Sequence, residues 1–292
     1  RARQLVCVTS AMEIAAGELL VRQVCADRST HWAFAPPPVR LMSNQSRPLR
    51  GWRSLCPAYM PVDPLARDGG HFQEIPLDAR CPSDHLVDAV LLLPEIVTPT
   101  ECSHLITAAN DWIATHPFHP GSNSIHPALT RVECHTDGIN LDGCSHALAT
   151  IIMARALWNL EVLRPDLAEE LFQQRSDLGD MWVTFSSSEP VINVYRPGGC
   201  FGKHSDQHML TLLVPLSTPG VDFEGGGTGF WSSSAAPASG GPPPPNLVLR
   251  PPAGTAMLWR GNVMHAGMPV VTGKRYAFVV SFNLKTCRES SA

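Results

Sequence analysis

The feature that most constrains this chain is the close spacing of short apolar segments between residues 181 and 283. Segments of this length are typical of β-strands, and the glycines and prolines between them mark turns. Many short strands at such spacing favour a β-sandwich or a β-barrel. The predicted strands cover residues 181–185, 191–196, 200–206, 209–216, 228–231, 247–250, 255–259, 262–265 and 275–283.

Helices are predicted before this region, where they would cover the strands. The segment Thr98-Pro99-Thr100-Glu101 has the residues of a helix start, with proline in the first turn and an acidic residue after it. Apolar residues then recur at helical spacing. The predicted helices cover residues 98–115, 145–160 and 165–174, and a further strand is predicted over 86–93.

Residues 1–82 are predicted to form an extension before the main domain, residues 83–292. The first 30 residues predict two short strands around a turn. The rest of the extension is rich in proline and arginine without periodicity, so it predicts an irregular arm. Within the main domain, the low-complexity tract 232–245 predicts a flexible surface insertion between strands.

The composition of the chain argues against nucleic acids and membranes as binding partners. The formal net charge is -4 and 16% of the residues are charged, so the chain lacks the global basic field of most nucleic-acid binders. Only the arginines between residues 40 and 53 keep a nucleic-acid partner as an alternative. No run approaches the ~20 apolar residues of a membrane helix, so no membrane association is expected. The sequence does not predict the oligomeric state.

The nine cysteines are scattered and include no CxxC pair, which disfavours a structural zinc site. An odd number in a chain of this length favours free thiols in a reducing compartment, and hence a soluble, cytoplasmic protein. One or two disulfide bridges stay an alternative. The chain begins at Arg1 and lacks a signal-peptide pattern, so we interpret it as a fragment or a processed chain, in which a removed targeting sequence would not be visible.

The residues that predict chemistry begin with His204 and Asp206, two positions apart in a predicted strand. Alternate residues of a strand face the same side, so both side chains are expected to point into the mouth of a barrel. His265, on a later strand, would complete a triad. Two histidines and one carboxylate on one octahedral face suit Fe(II) and leave positions open for other ligands.

A second His-x-Asp motif, residues 135–137, lies in a loop-rich stretch and has no matching histidine downstream. We interpret it as part of a loop. Arg275, in contrast, opens a strand ten residues after His265. A guanidinium binds a carboxylate through two parallel hydrogen bonds, so Arg275 is a candidate to hold the far carboxylate of a metal-bound keto acid.

Several motifs together carry a resemblance to a known family. They are Tyr195-Arg196-Pro197-Gly198-Gly199, Phe201, His204-Ser205-Asp206, Leu210-Thr211, Val214-Pro215-Leu216, Gly225-Gly226-Gly227-Thr228, Pro252-Ala253-Gly254-Thr255, His265 and Gly273-Lys274-Arg275-Tyr276. Through them, residues 190–283 resemble the catalytic core of the prolyl 4-hydroxylase-like branch of the 2-oxoglutarate/Fe(II) dioxygenases. Residues 96–106 also resemble the helix that opens such domains. The resemblance implies a mainly β or α+β fold, with a double-stranded β-helix (jelly-roll) core and flanking N-terminal helices.

The resemblance also implies Fe(II), 2-oxoglutarate and O₂ as the reacting partners, with ascorbate as a further candidate. Carried over position by position, it makes His204, Asp206 and His265 the iron ligands. Arg275 would pair with the distal carboxylate of 2-oxoglutarate. The neighbouring Lys274 is expected to face the other side of the strand.

Other positions receive weaker assignments from the same resemblance. Tyr195 would hydrogen-bond the co-substrate, with Thr211 or Asn193 lining its pocket; a core tyrosine is the alternative. Trp259 and Phe282 are expected to pack the barrel. His208, which follows Asp206 by two residues, is a competing ligand, a substrate contact or a histidine at the pocket rim. The separation of Asp206 and His265 is long for the family, and the tract 232–245 accounts for the excess.

The implied reaction hydroxylates a C–H bond and converts 2-oxoglutarate to succinate and CO₂. The carboxylate at Asp206 favours hydroxylation, because related halogenases lack it so that chloride can bind iron. A protein side chain, with peptidyl proline as the leading candidate, is the expected substrate. The alternatives are an oxygenase of a nucleobase or small metabolite, and a metal-free jelly-roll binding module. Variable loops, here 117–143 and 217–246, build such substrate pockets, so the sequence does not identify the substrate.

Overall fold

The computed structural model describes residues 8–14, 18–24, 30–35, 46–48, 72–78, 88–115, 127–134, 143–171, 181–186, 189–233 and 243–286. Three helices lie in these ranges: α1 (Pro99–Thr115), α2 (Gly143–Leu163) and α3 (Pro165–Leu171). The strands in these ranges are β1 (Val8–Ile14), β2 (Glu18–Val24), β3 (Thr30–Ala35), β4 (Ser46–Pro48), β5 (Gln73–Pro76), β6 (Ala89–Leu93), β7 (Leu129–Glu133), β8 (Met181–Phe185), β9 (Val191–Tyr195), β10 (Phe201–His204), β11 (Leu210–Pro215), β12 (Phe223–Gly225), β13 (Thr228–Trp231), β14 (Leu247–Leu249), β15 (Ala256–Arg260), β16 (Met264–Gly267), β17 (Val270–Gly273) and β18 (Arg275–Thr286).

The largest sheet is antiparallel and contains nine strands. Its main path runs β4-β8-β18-β11-β15-β6-β5. Strand β18 is 12 residues long, so one of its edges accommodates two shorter strands in succession. Its first half pairs with β9, which in turn pairs with β7, and its second half pairs with β8. We call this sheet the major sheet.

A second antiparallel sheet, the minor sheet, has the order β10-β16-β13-β14 and faces the major sheet. Buried side chains of both sheets meet in one apolar cluster, which includes Leu213 and Trp259 from the major sheet and Phe230 from the minor one. This two-layer arrangement is a jelly roll, as the resemblance implied. A small hairpin sheet of β12 and β17, and a meander of β1, β2 and β3, complete the described strands.

The central strand β11 is buried along its whole length. All six of its residues are buried, because both faces of the strand are covered. Leu212 and Val214 pack toward the helices, in the cluster that contains Leu105 of α1 and Leu157 of α2. Leu213 points to the opposite face and packs between the two sheets. The helices therefore cover the outer face of the major sheet and leave its inner face for the cavity.

Helix α1 begins as predicted. The backbone N–H of Thr98 donates to the Glu101 carboxylate at 2.9 Å, and the backbone N–H of Glu101 donates to the Thr98 hydroxyl at 3.3 Å. This reciprocal pair satisfies donors that a helix start leaves unpaired. Arg155 of α2 donates to both oxygens of the Glu101 carboxylate and to the Ile96 carbonyl. The guanidinium thus joins the two helices to the end of β6.

Several predicted elements differ from the structure. Strands β3, β4 and β5 lie within the stretch predicted to be irregular, so that prediction is wrong at these segments. Strand β7 lies in a stretch predicted to be loop-rich, and β12 and β17 were not predicted. Most of these strands have three to five residues, too few for an apolar pattern to show.

The proline-rich tract is fixed at both of its described ends. The hydroxyl groups of Ser232 and Ser233 donate to the Asp88 carboxylate at 2.5 and 3.1 Å. The indole N–H of Trp231 donates to the carbonyl of Pro243 at 2.8 Å. Residues 234–242 lie outside the described residues, so the flexible insertion stays a prediction, as does the division of the chain at residue 82. In the described part of the chain, no helix has the length and apolar run needed to cross a bilayer.

Candidate active site

The minor sheet brings His204 and His265 together. Strand β10 pairs with β16 so that the Cα atoms of these two histidines are direct partners. Side chains at paired positions of neighbouring strands lie on the same face of a sheet. The two imidazole centroids are accordingly 4.2 Å apart. Residues distant in sequence thus become neighbours through one strand pairing.

Asp206 reaches the two histidines by a different route from the one predicted. Strand β10 ends at His204, two residues before the predicted end, so strand alternation does not orient Asp206. Instead its backbone N–H donates to the carbonyl of Gly261, in the turn between β15 and β16, at 2.8 Å. The Thr211 hydroxyl donates to the carboxylate Oδ2. A turn and a threonine therefore fix the carboxylate beside the histidines.

The three side chains form a compact group of metal-ligating atoms. Nε2 of His204 lies 3.6 Å from Oδ1 of Asp206, and Nε2 of His265 lies 3.6 Å from Oδ2. All the ligating atoms of this group lie within 4.8 Å of one another. Such spacing suits one metal ion bound between them, and the donor set of two imidazoles and a carboxylate suits Fe(II).

Both imidazoles are oriented for metal binding through Nε2. Nδ1 of His204 lies 2.7 Å from the Gly202 carbonyl, and Nδ1 of His265 lies 3.0 Å from the Val263 carbonyl. A carbonyl accepts a hydrogen bond only from a protonated Nδ1, so the lone pair of a neutral ring stands on Nε2. Burial lowers the pKa of His265, against the opposing effect of Asp206, which favours the neutral ring that binds a metal.

A cavity of about 190 Å³ opens beside this group, between the two sheets. One part of its wall is polar and the rest is apolar. The lining residues are Arg131, Ser186, Glu189, Asn193, Tyr195, Phe201, His204, Asp206, Leu213, Thr228, Trp259, His265, Gly267, Val279 and Ser281. A concave site with a few convergent polar groups is the usual form of a small-molecule site.

Arg275 stands behind this cavity as a buried cation. Its side chain is 2% exposed, and its Nη2 donates to the Thr228 hydroxyl at 3.0 Å. Its Nη1 has no hydrogen-bond partner, and no described carboxylate forms an ion pair with it. Burial lowers the pKa of Arg275, because the charged guanidinium loses its hydration. A buried guanidinium with an unused N–H fits an anionic ligand such as the distal carboxylate of 2-oxoglutarate.

The other residues assigned to the co-substrate are close to this group. The Tyr195 ring lies under the Arg275 guanidinium, 4.8 Å from ring centroid to Cζ, and lines the cavity. Asn193 also lines the cavity, and its Oδ1 has no hydrogen-bond partner among the described residues. Thr211 is buried and donates to the Asp206 carboxylate, and it does not line the cavity. The roles of these residues toward a co-substrate stay predictions.

Two charged residues of the cavity were not singled out from the sequence, Arg131 on β7 and Glu189 before β9. Nη2 of Arg131 lies 3.2 Å from Oε1 of Glu189, and the guanidinium lies over the Phe201 ring. Burial raises the pKa of Glu189 to about 7, although Arg131 and the backbone N–H of Ser281 oppose this shift. Neither residue belongs to a sequence motif. The sequence around Arg131 shows only a charged residue within a short segment that also contains Leu129 and Val132.

The remaining sequence candidates lie apart from the metal group. His208 is half-buried in the turn after Asp206 and neither joins the group of ligating atoms nor lines the cavity. Lys274 is exposed, whereas Arg275 is buried, in agreement with their predicted orientations. The motif of residues 135–137 lies outside the described residues. Trp259, predicted to pack the barrel, is buried and also lines the cavity.

Residues 190–283 match the 2OG-Fe(II) oxygenase superfamily. The matched segment contains every residue that sequence analysis assigned to the site: His204, Asp206, His265, Arg275, Tyr195, Thr211 and Asn193. None of the curated protein sequences compared with the chain matches it.

Solved structures with a similar arrangement include several prolyl hydroxylases. A prolyl-4-hydroxylase of Pseudomonas putida has a TM-score of 0.42 and 13% identity, over 66% of this chain and 91% of its own. A viral collagen prolyl hydroxylase of Paramecium bursaria Chlorella virus-1, solved with 2OG, has a TM-score of 0.42 and 16% identity, over 66% and 94%. A prolyl hydroxylase of Trichoplax adhaerens, in complex with a hypoxia inducible factor peptide, has a TM-score of 0.41 and 14% identity, over 66% and 83%.

The family match and the metal group agree with each other. The match over residues 190–283 and the metal group that these residues form together support a dioxygenase that uses Fe(II), 2-oxoglutarate and O₂. The intact group of metal-ligating side chains argues against the metal-free binding module considered from the sequence. The use of ascorbate stays a prediction.

Proposed function

We propose that this protein hydroxylates a C–H bond of a protein side chain, with a prolyl ring as the leading candidate. The reaction would release succinate and CO₂ from 2-oxoglutarate. The observation that carries the proposal is the convergence of His204, Asp206 and His265, with the buried Arg275 behind the same cavity. The prolyl assignment rests on the resemblance of the sequence motifs and not on a contact in the cavity.

The side chains of the cavity fit both Fe(II) and 2-oxoglutarate. His204, Asp206 and His265 would hold Fe(II), and Arg275 with Tyr195 would hold 2-oxoglutarate. When bound, the iron and its co-substrate supply the oxidation, in which one oxygen atom of O₂ enters succinate and the other enters the C–H bond of the substrate. The protein contributes binding, orientation and the exclusion of water.

The orientation of each proposed metal-binding side chain depends on a hydrogen bond to a nearby group. Thr211 donates to the Asp206 carboxylate and so fixes its rotation. The carbonyl groups of Gly202 and Val263 hold the two imidazole rings with Nε2 toward the metal. Fixed ligands reduce the reorganisation that metal binding would otherwise require.

A polar part of the cavity wall suits the polar groups of a polypeptide. Arg131 and Glu189 form a partly buried ion pair there, and Ser186 lies beside them. The Oδ1 of Asn193 is a free acceptor, which suits an N–H of a substrate better than the oxygens of 2-oxoglutarate. Peptide groups bring both donors and acceptors, so this wall supports a protein substrate.

The first test is the release of succinate from 2-oxoglutarate by purified protein in the presence of candidate peptides. We expect release that requires Fe(II), 2-oxoglutarate and O₂, and that is lost in Asp206→Ala, because the variant lacks one metal ligand. The surface variant Glu169→Ala on α3 is the control and should retain the activity. Equal succinate release in Asp206→Ala and wild-type protein would contradict the proposed metal site.

The second test addresses the substrate. Proline-containing peptides, nucleosides and free amino acids are incubated with the enzyme and examined for a mass increase of about 16 Da, the mass of one inserted oxygen atom. We expect the increase on a peptide, located to a proline by fragmentation. An increase confined to nucleosides or free amino acids would assign the enzyme to a different substrate class while leaving the oxygenase chemistry intact.

A further inference from the structure

The Asp206 carboxylate offers two oxygen atoms to a metal ion, and the distances to the imidazole rings do not distinguish them. Oδ1 lies 3.6 Å from Nε2 of His204, and Oδ2 lies 3.6 Å from Nε2 of His265. A carboxylate binds a cation through one oxygen atom or through both. The number of protein atoms at the metal therefore depends on what else contacts these two oxygens.

Hydrogen bonding does distinguish the two oxygens. The Thr211 hydroxyl donates to Oδ2 of Asp206, whereas no described residue donates to Oδ1. A hydrogen bond to a carboxylate is strong because the acceptor is charged, and it takes up part of the negative charge of the accepting oxygen. Oδ1 is then the better ligand for a metal ion. The same bond fixes the plane of the carboxylate with Oδ2 held at the threonine.

The Thr211 hydroxyl is committed to this bond. The residue is 1% exposed and does not line the cavity, so neither bulk water nor a ligand in the cavity competes for its hydrogen. Its direct partner on β18 is Ser281, and the two hydroxyl oxygens lie 3.4 Å apart. A hydroxyl has only one hydrogen. Because that of Thr211 is donated to Asp206, Ser281 is the donor in the second contact, and the bond to the carboxylate is preserved.

The number of open positions at the metal follows from the number of protein ligands. An octahedral ion bound by two imidazoles and one carboxylate oxygen keeps three positions open. A chelating keto acid takes two of these positions and leaves one for O₂. If the second carboxylate oxygen also bound the ion, four protein atoms would leave only the two positions that the keto acid fills.

We propose that Thr211 is a positioning residue that restricts Asp206 to one metal-binding oxygen and so keeps a coordination position open for O₂. The proposal rests on the proposed function, since it needs a metal ion bound by Asp206 and the two histidines. It replaces the pocket-lining role that the resemblance gave to Thr211. It also goes beyond the orientation of the carboxylate, because it sets the number of ligand atoms that the protein supplies.

The test uses Thr211→Val, which removes the hydroxyl and keeps a branched side chain of similar shape. Mn(II) replaces Fe(II), and the relaxation of water protons by the bound ion measures how many water molecules it carries. We expect the variant to lose about one third of this relaxation without 2-oxoglutarate, and nearly all that remains in the wild type when 2-oxoglutarate saturates the site. The affinity for Mn(II) should be unchanged or higher, since a second oxygen atom binds the ion.

Three further variants serve as controls. Thr211→Ser restores a hydroxyl at the same position and should relax water protons like the wild type. Thr255→Val is the matched control, because it removes the hydroxyl of a buried threonine that does not contact the metal group. Asp206→Ala gives the relaxation from Mn(II) bound elsewhere on the chain, which is subtracted.

Two outcomes overturn the role of Thr211. In the first, Thr211→Val no longer binds Mn(II), or carries as many water molecules per bound ion as the wild type. In the second, Thr211→Ser loses water like Thr211→Val, which would assign the effect to packing. Failure of the wild-type protein to bind Mn(II), or to lose water on addition of 2-oxoglutarate, would instead contradict the proposed function.

Discussion

Both candidate iron-binding histidines are oriented by the main chain of their own segments. In each case Nδ1 contacts the carbonyl of the residue two positions earlier, Gly202 for His204 and Val263 for His265. The orientation of the rings therefore follows from backbone conformation and does not depend on a second side chain. In contrast, the orientation of the Asp206 carboxylate depends on a hydrogen bond from the side chain of Thr211. A substitution of Thr211 would therefore change this orientation while keeping the carboxylate.

At the residue scale, the first prediction concerns Arg275. Truncation to alanine removes the buried guanidinium whose Nη1 is unused, so we expect binding of 2-oxoglutarate to weaken by about 2–5 kcal/mol. Mn(II) affinity should be unchanged, because Arg275 is not a metal ligand. Calorimetric titration of Mn(II)-loaded protein measures both. Lys274→Ala, at the exposed neighbouring position, is the control, and wild-type co-substrate affinity in Arg275→Ala would contradict the assignment.

The second prediction concerns the buried carboxylic acid of Glu189. Burial raises its pKa from 4.5 to about 7, so between these values the folded protein binds a proton that the unfolded chain has lost. Stability then falls as the pH rises through this range. The fall amounts to at most about 3.5 kcal/mol, since one pKa unit corresponds to about 1.4 kcal/mol.

Urea unfolding of the chelator-treated protein between pH 4.5 and pH 8 would measure this dependence. We expect Glu189→Gln to have a flatter dependence of stability on pH than the wild type, because the amide does not ionise. Glu169→Gln, an exposed substitution on α3, should leave the dependence unchanged. The same slope in wild type and Glu189→Gln would show that Glu189 titrates near its ordinary pKa in the folded protein.

At this scale the sequence predicted the residues that belong to motifs and missed those that do not. His204, Asp206, His265 and Arg275 were singled out because their residue types and spacing match a family pattern. Glu189 and Trp259 carry no such signal, because a glutamate before a proline and a tryptophan in an apolar strand have ordinary structural explanations. Only the cavity, which forms from distant strands, distinguishes them.

At the scale of elements, the turn between β15 and β16 determines where Asp206 lies. Gly261 in this turn accepts a hydrogen bond from the Asp206 backbone N–H at 2.8 Å and donates to the Met209 carbonyl at 3.0 Å. A Cβ atom at Gly261 would lie 1.9 Å from the His208 carbonyl oxygen. The segment that carries Asp206 therefore packs directly on a position without a side chain.

The third prediction follows from this contact. Gly261→Ala should push away the segment of residues 206–209 and separate the Asp206 carboxylate from the two histidines. We expect metal affinity to fall at least about 10-fold and stability to fall by about 1–3 kcal/mol, as for overpacking elsewhere. Metal titration and urea unfolding measure the two effects.

Asn262→Ala, at the exposed neighbour in the same turn, is the matched control and should change neither quantity. Wild-type metal affinity in Gly261→Ala would mean that the turn does not position Asp206.

The strands that were missed share a physical reason. In β7, Leu129, Arg131 and Glu133 stand on alternate positions, and the charged Arg131 faces the cavity instead of an apolar core. The charge breaks the apolar alternation on which a strand prediction depends. Functional sites are where local sequence rules are expected to fail. The predicted end of β10 was wrong for a related reason, because the backbone N–H of Asp206 donates to the carbonyl of Gly261, a residue distant in sequence.

At the scale of the whole molecule, the candidate site joins the two sheets. His204 and His265 belong to the minor sheet, whereas Arg275 and Thr211 belong to the major sheet. Asp206 lies in the segment between β10 and β11, where the chain passes from one sheet to the other. A metal ion bound by all three ligands would therefore connect both layers of the jelly roll. The order of motifs was enough to predict this fold, since each motif occupies a strand end or turn of the same two sheets.

The fourth prediction is that ligands stabilise the entire domain. A ligand that binds only the folded state at 100 times its dissociation constant stabilises it by about 2.7 kcal/mol. For a domain of this size, we expect Mn(II) at such an excess to raise the unfolding midpoint by about 5–10 °C. In the metal-loaded protein, 2-oxoglutarate should raise the midpoint further, because it would bind the metal and the Arg275 of the opposite sheet together. Thermal unfolding with and without chelator measures both shifts.

The decisive comparison is with Asp206→Ala. This variant keeps both sheets and both histidines. It lacks only the carboxylate in the segment between β10 and β11, which links the two sheets. If the metal connects the layers through the three residues, the variant should unfold at a midpoint that neither Mn(II) nor 2-oxoglutarate changes. A full metal-induced shift in Asp206→Ala would mean that the ion binds elsewhere. Because the chain contains 12 histidines, this variant is needed to separate stabilisation at the candidate site from metal binding to other imidazoles.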